Sequence, residues 1–126
     1  MSDEETKVAV LDRLVDAFNR QDVEAAVALF AEDAVFESSR GPDPWGRRYV
    51  GRDEIREGVT GRFEILPRGE YGEMTHFVSG DRGFSEWTLR ATSTSGEEIE
   101  VRGCDIWTFE GDRIARKSSF WKIVDR

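Results

Sequence analysis

Residues 14–37, LVDAFNRQDVEAAVALFAEDAVFE, decide the fold. Apolar side chains recur at helical spacing from Val8 to Phe18, and polar residues 19–21 interrupt that pattern. Asp22 is then a suitable N-cap for a second, short helix. One face of that helix is apolar and consists of Val23, Ala26, Val27 and Phe30. The stretch ends in a short predicted strand, residues 34–37, so the helices lead the chain into a sheet.

The rest of the chain supplies one more helix and then only strands. Residues 38–48 are rich in glycine and proline, which predicts a loop. A third helix is expected from about residue 51, with Ile55, Val59 and Phe63 on its apolar face. Alternating patterns predict strands at 72–79, 83–94, 97–109 and 113–124, joined by glycine-containing turns into an antiparallel meander. The predicted class is α+β, with three N-terminal helices packed on a strongly curved antiparallel sheet around an apolar pocket.

Composition excludes several function classes. The 126 residues fit one domain, residues 1–126, and no apolar run is long enough for a membrane span. The net charge of −8 repels phosphate backbones, so we expect no nucleic-acid partner. One histidine and one cysteine cannot form a zinc site with nitrogen and sulfur ligands or an intrachain disulfide. The acidic N-terminus does not resemble a secretory signal, and we expect a cytoplasmic protein.

Two titratable residues stand out by their position in the strand pattern. The odd-numbered residues of 99–109 form the most apolar alternating face of the chain, and Asp105 is the lone carboxylate on it. An ionised carboxylate is costly to bury, so Asp105 is paired, protonated or at the wall of a cavity. His76 shares a face with Met74 and Val78, and it is either a packed histidine or a proton carrier. Lys117 either neutralises Asp105 or extends to the rim of the pocket.

Three segments together resemble the nuclear transport factor 2-like superfamily, in particular its SnoaL-like branch. They are the opening stretch quoted above, YVGRDEIREGV at 49–59 and RGCDIWTFEGDRIARKSSFWK at 102–122. The resemblance implies a cone-shaped α+β barrel with a hydrophobic cavity that commonly dimerises through its sheet. Members of the superfamily include ketosteroid isomerase, limonene epoxide hydrolase, scytalone dehydratase and polyketide cyclases.

The resemblance to individual enzymes is incomplete. Asp105 matches the oxyanion-hole aspartic acid of ketosteroid isomerase, but Leu14 and Ser38 occupy the positions of its tyrosine and its base. Ser119 stands where the epoxide hydrolase carries an aspartate. The segment MTHFVSG is similar to the scytalone dehydratase strand that bears a catalytic histidine, and His76 matches it. That enzyme's tyrosine donor has no counterpart on the matching helix, although Tyr49 or Trp45 is available from the loop.

The sequence therefore supports two hypotheses. The first is a cofactor-free lyase or isomerase for a small apolar carbonyl compound, in which His76 moves a proton and Asp105 orients it or stabilises negative charge. The second is a non-catalytic module of the same fold that binds an apolar ligand or dimerises. In both, no cofactor or metal is expected, and the predicted pocket lining is Leu14, Phe18, Phe36, Trp45, Tyr49, Phe63, Trp87, Lys117, Ser119 and Trp121.

Overall fold

The computed structural model describes residues 2–125, which form helices followed by a large sheet. The helices are α1 (Asp3–Arg20), α2 (Val23–Val27) and α3 (Gly51–Ile65). The strands are β1 (Phe30–Glu37), β2 (Arg48–Val50), β3 (Glu70–Ser79), β4 (Arg82–Thr92), β5 (Glu98–Glu110) and β6 (Arg113–Trp121). The predicted α+β class is confirmed.

The ends of the first two helices follow local capping rules. Ser2 and Glu5 form a reciprocal capping box at the start of α1, and Gln21 ends that helix in the left-handed conformation, with a φ of 56°. The Asp22 side chain accepts a hydrogen bond from the Ala25 N–H at 3.0 Å, as predicted from the sequence. These caps turn the chain sharply, so that α2 packs beside α1 before β1 begins.

The six strands form one open sheet in the order β2-β1-β6-β5-β4-β3. The predicted meander of β3 to β6 is present, and each consecutive pair is antiparallel. The sheet is nevertheless mixed, because β1 pairs with β6 in parallel. A parallel pair needs a long crossover, and here the whole segment from β2 to β5 supplies it. Helix α1 packs on β3 and α3 packs on β1, so both helices cover the same side of the sheet.

Several element boundaries differ from the sequence-based expectation. Phe30 belongs to β1, where it pairs with Ile114, and not to the second helix. A buried apolar residue at that spacing fits either element, because periodicity alone does not separate a short helix from the start of a buried strand. The predicted loop ends in the short strand β2, and β6 stops at residue 121 instead of 124.

A buried carboxylate on β1 joins three strands on the side of the sheet away from the helices. Glu37 accepts hydrogen bonds from Arg48 of β2 and from Arg116 and Ser118 of β6. Burial opposes ionisation of Glu37, but the bonds from Arg48 and Arg116 outweigh it and lower its pKa. This pairing fixes β1 against β6 and keeps Glu37 out of the interior.

None of the helices within residues 2–125 is long and apolar enough to cross a membrane.

Candidate functional site

A hydrogen-bonded ion pair lies in the apolar interior, on the inner face of β5 and β6. The carboxylate of Asp105 accepts a bond from the Trp87 indole at 2.9 Å, from the Ser119 hydroxyl at 2.6 Å and from Lys117 Nζ at 3.1 Å. Lys117 Nζ also donates to Ser119 Oγ at 2.7 Å. Both charged side chains are almost fully buried, with 6–7 % of their surface exposed. Since all partners of Asp105 can donate, the network fits an ionised carboxylate and not the neutral acid considered from the sequence.

Aromatic rings surround the ammonium group of Lys117. Its Nζ lies 4.7 Å from the ring centre of Phe36, 5.5 Å from that of Phe18 and 5.6 Å from that of Trp107. Burial lowers the pKa of Lys117; the positive charge of Arg62 adds to that effect, and Asp105 opposes it. The sequence left open whether Lys117 neutralises Asp105 or reaches the rim, and the structure shows the former.

Two small voids adjoin this network. The first, which we call the inner void, measures about 20 Å³ and is lined by Leu14, Val15, Phe18, Tyr71, Met74, Asp105, Trp107 and Lys117. The second, the α3 void, measures about 10 Å³ and is lined by Phe18, Gln21, Arg62, Phe63, Leu66, Gly69, Tyr71 and Leu89. Phe18 and Tyr71 border both voids and separate them. The inner void is large enough for about one water molecule, so the ligand-sized cavity expected from the resemblance is closed in this conformation.

His76 does not form a dyad with Asp105. Its Nδ1 lies 2.6 Å from the hydroxyl of Ser85, the residue that pairs with His76 on one side and with Asp105 on the other. The indole of Trp107 also donates to Ser85 Oγ, at 2.8 Å. His76 Nε2 is 3.2 Å from Asp12 Oδ1 but makes no hydrogen bond with suitable geometry. Of the two roles considered for Asp105, orienting the imidazole is therefore wrong, because strand β4 separates the two side chains.

Burial sets the protonation of His76. Its side chain is only 5 % exposed, in the seam between α1 and β3. Burial lowers the pKa of His76, while the carboxylates of Asp12 and Asp105 oppose that shift. His76 lies two positions along β3 from Met74, which lines the inner void, so the imidazole stands beside the void and not at its wall.

The other predicted pocket residues divide into two groups. Leu14, Phe18 and Phe63 line a void, while Phe36, Trp87 and Ser119 pack on or bond to the ion pair. Trp121 packs edge-on against Trp87, with ring centres 6.3 Å apart. Trp45 and Tyr49 neither line a void nor contact the ion pair, so these two residues were wrongly assigned to the pocket. Trp45 is 44 % exposed and stacks under the Arg48 guanidinium, and Tyr49 packs between Phe36 and the backbone of α3 at Gly58.

Two residues that the sequence analysis missed complete the site. Tyr71 packs edge-on against Trp87, with ring centres 4.9 Å apart, and its hydroxyl accepts a short hydrogen bond from Arg62. The Arg62 guanidinium lies 4.7 Å from the ring centre of Trp121. Burial raises the pKa of Tyr71 to about 12, although Arg62 pulls it down, so the hydroxyl stays protonated at neutral pH. Arg62 lies three positions after Val59 and seven after Ile55, so it shares the apolar face of α3. This spacing in the sequence was enough to predict that Arg62 faces the interior.

Within residues 2–125, no group of three or more His, Cys, Asp or Glu side chains is arranged to hold a metal ion.

A family model described as the SnoaL-like domain matches residues 11–117. The chain belongs to this family. No curated protein matches the sequence. The SnoaL-like assignment agrees with the order of helices and strands, and it covers every element that builds the site, except the end of β6 with Ser119 and Trp121.

Solved structures share the fold at low sequence identity. A protein from Xanthomonas campestris pv. campestris, provisionally assigned as a polyketide cyclase, is 18 % identical, with a TM-score of 0.86 over 96 % of this chain and 93 % of its own. A Bacillus subtilis protein provisionally assigned as an isomerase is 18 % identical, with a TM-score of 0.84 over 97 % and 90 % of the two chains. An NTF2-like protein of unknown function from Burkholderia pseudomallei is 21 % identical, with a TM-score of 0.81 over 97 % and 92 %. At these identities the similarity shows the SnoaL-like, NTF2-like fold alone.

Proposed function

We propose that this SnoaL-like protein is a cofactor-free isomerase or lyase that acts on a small apolar carbonyl compound. The observation that carries the proposal is the buried pair of Lys117 and Asp105, which lines a void on an otherwise apolar face. An ion pair in such a place is weak evidence for stability, because replacing it by apolar residues is often neutral or stabilising. Neighbours of the same fold assigned to isomerases and polyketide cyclases add support.

Lys117 is the group suited to bind the substrate carbonyl. An ammonium has three N–H donors, and Asp105 and Ser119 accept two of them, which leaves one for a substrate oxygen. As a proton leaves the carbon beside the carbonyl, its electron pair moves into the C=O group and an oxyanion forms. The Lys117 charge stabilises that oxyanion strongly, because the site excludes water and has a low dielectric. Asp105 and Ser119 are positioning residues that hold the ammonium in place.

His76 is the proposed proton carrier. In the tautomer whose Nδ1–H donates to Ser85, Nε2 is the free base. Nε2 takes the proton from carbon, and the imidazolium then returns it to a different carbon in an isomerase or to a departing β-hydroxyl in a lyase. The substrate has to reach His76 from the inner void past Met74, which lines the void and lies two positions from His76 on β3. Because the void holds about one water, Phe18 and Tyr71 have to move apart on binding.

The test compares turnover of cyclic enones and β-hydroxy ketones by wild-type protein and by Lys117→Met, Asp105→Asn and His76→Gln. The matched control is Lys122→Met, which removes an exposed lysine beyond the end of β6. Loss of a proton-transfer group typically lowers the rate by about 10²–10⁴-fold, and loss of an oxyanion-stabilising donor lowers it by about 10²–10³-fold. We expect losses of these orders for His76→Gln and Lys117→Met, respectively, and none for the control.

Folding is checked separately, because breaking a buried ion pair costs about 3–5 kcal/mol. The double variant Asp105→Asn/Lys117→Met leaves no unpaired charge and should be more stable than Lys117→Met alone. A folded double variant that turns over substrate as fast as wild type would reject the proposed roles.

A second candidate, a non-catalytic module, is favoured by the small size of the inner void. In that case Lys117 and Asp105 only hold β5 and β6 together, and no compound of the panel is turned over.

In either case we propose a homodimer through the outer face of the sheet, where Phe77, Phe84, Ile106 and Phe120 are 37–56 % exposed. The free thiol of Cys104 supports a cytoplasmic location.

A further inference from the structure

The α3 side of the interior contains a cation that no carboxylate neutralises. Arg62 is half-buried, and no acidic side chain within residues 2–125 forms an ion pair with it. Its hydrogen-bond partner is the neutral hydroxyl of Tyr71. Asp105, the buried carboxylate on this side of the sheet, is already bonded to Lys117, Ser119 and Trp87. The interior therefore carries two cations and one anion, a net charge of +1, in a chain whose overall charge is −8.

Further hydrogen-bond donors belong to the two aromatic residues that contact Arg62. The Trp121 indole nitrogen is buried and has no partner, and its ring lies under the Arg62 guanidinium. Tyr71 accepts a bond from Arg62, and its own hydroxyl hydrogen remains available to a ligand oxygen. A guanidinium has five N–H donors, of which the described contacts use one. Of these donors, the Trp121 indole nitrogen is buried without an acceptor, and such a donor costs free energy and calls for an explanation.

Arg62 is also the charged member of an otherwise buried apolar face of α3. Ile55, Val59 and Leu66 on the same face are buried, and a charged residue among them interrupts an apolar stripe. Arg62 and Tyr71 both line the α3 void, and Tyr71 also lines the inner void next to Lys117. Phe18 and Tyr71 line both voids, so a cation lies on each side of these two rings, Arg62 at the α3 void and Lys117 at the inner void.

We propose that Arg62, Tyr71 and Trp121 bind a carboxylate of the substrate, so that the substrate is an apolar molecule carrying both a carboxylate and a carbonyl group. This inference rests on the proposed function, in which Lys117 binds the carbonyl oxygen. The planar fork of Arg62 matches a carboxylate with two parallel hydrogen bonds. The indole and phenol donors supply further bonds to the same oxygens.

The test uses pairs of probes that differ in charge but not in shape, namely benzoate with benzamide and 2-naphthoate with 2-naphthamide. Binding to the full chain is measured by calorimetry and by the indole ¹H–¹⁵N NMR signals of the four tryptophans. We expect each carboxylate to bind about tenfold or more tightly than its amide and to shift the Trp121 signal, while the signal of exposed Trp45 stays in place.

Variants test whether Arg62 causes the preference for the carboxylate probes over their amides. Arg62→Met should abolish the preference for the carboxylates and Arg62→Lys should keep part of it, whereas Arg13→Met, which removes an exposed arginine of α1, should leave it unchanged. Equal binding of amide and carboxylate by wild type would overturn this inference and leave the proposed carbonyl chemistry standing. Failure of all four probes to bind would overturn both.

Discussion

At the scale of single residues, Ser85 determines what His76 can do. The Ser85 hydroxyl is hydrogen-bonded to Nδ1 of the imidazole and accepts a second hydrogen bond from the Trp107 indole N–H. His76 is therefore held in place by neutral partners. Alternation along the strands was sufficient to predict that Asp105 and His76 point to the interior, because a strand in a half-buried sheet has only two faces. The partners of those residues were not predictable, since they depend on how β4, β5 and β6 align.

His76 makes the stability of the protein depend on pH in a defined direction. Its pKa is lower in the folded protein than the ordinary 6.5, with burial as the main cause. As the pH falls below about 6.5, the unfolded chain therefore binds a proton that the folded protein does not, and the free energy of unfolding decreases. His76 is the only histidine, so we expect a loss of stability between pH 7 and 5.5 that His76→Gln lacks.

Urea unfolding at several pH values measures this effect. Asp12→Asn is the control, because it removes a carboxylate that favours the imidazolium, and it should steepen the loss. A variant His76→Gln whose stability falls as steeply as that of wild type over this range would contradict the assignment.

At the scale of elements, an irregularity in β3 explains why Tyr71 was missed. The pairing of β3 with β4 shifts between Gly72 and Thr75, and Glu73 adopts a left-handed conformation with a φ of 49°. Such a bulge reverses the alternation, so Tyr71 faces the interior together with Met74 and His76. Regular strand alternation back from His76 predicts that Gly72, and not Tyr71, faces the interior. Gly72 indicates some irregularity, but the sequence does not show where the extra residue lies.

The packing of a second element, β5, requires a glycine at position 103. A Cβ atom on Gly103 would lie 2.4 Å from the Trp87 ring and 2.5 Å from the carbonyl oxygen of Phe120. The buried Trp87 ring and the backbone of the paired strand β6 cannot easily move to make room for a Cβ atom. We therefore expect Gly103→Ala to destabilise the protein by about 1–3 kcal/mol and to weaken the bond from Trp87 to Asp105.

The matched control for that substitution lies in α3. Gly61 has open space around its Cβ position, so Gly61→Ala should stabilise the helix by up to about 1 kcal/mol. Denaturant unfolding of both variants checks the pair of predictions. Equal effects of the two substitutions would mean that the close approach at Gly103 does not exist.

At the scale of the whole molecule, the sequence was enough to predict the meander, the helices and the family. The meander and the helices follow from local periodicity, turns and caps, and the family follows from the resemblance of three segments to the SnoaL-like branch. The parallel pairing of β1 with β6 was not predictable, because it joins residues about eighty positions apart and no turn connects them. The closed interior was not predictable either, since apolar patterning identifies inward residues but not how completely Phe18, Tyr71 and Trp107 fill the space between them.

The outer face of the sheet leads to the last prediction. Phe77 pairs with Phe84, and Phe84 pairs with Ile106, so exposed apolar side chains form a stripe across three strands, which Phe120 of β6 extends. Because each chain carries a charge of −8, two copies repel each other, and salt screens that repulsion. Sedimentation should therefore show a dimer that tightens between 0.02 and 0.5 M NaCl, and Phe84→Glu/Phe120→Glu should be a folded monomer. Ile65→Glu, which alters an exposed apolar residue at the end of α3, should remain dimeric. A monomeric wild-type protein at high salt would show that this face is not an interface between copies, since added salt removes the main force that opposes association.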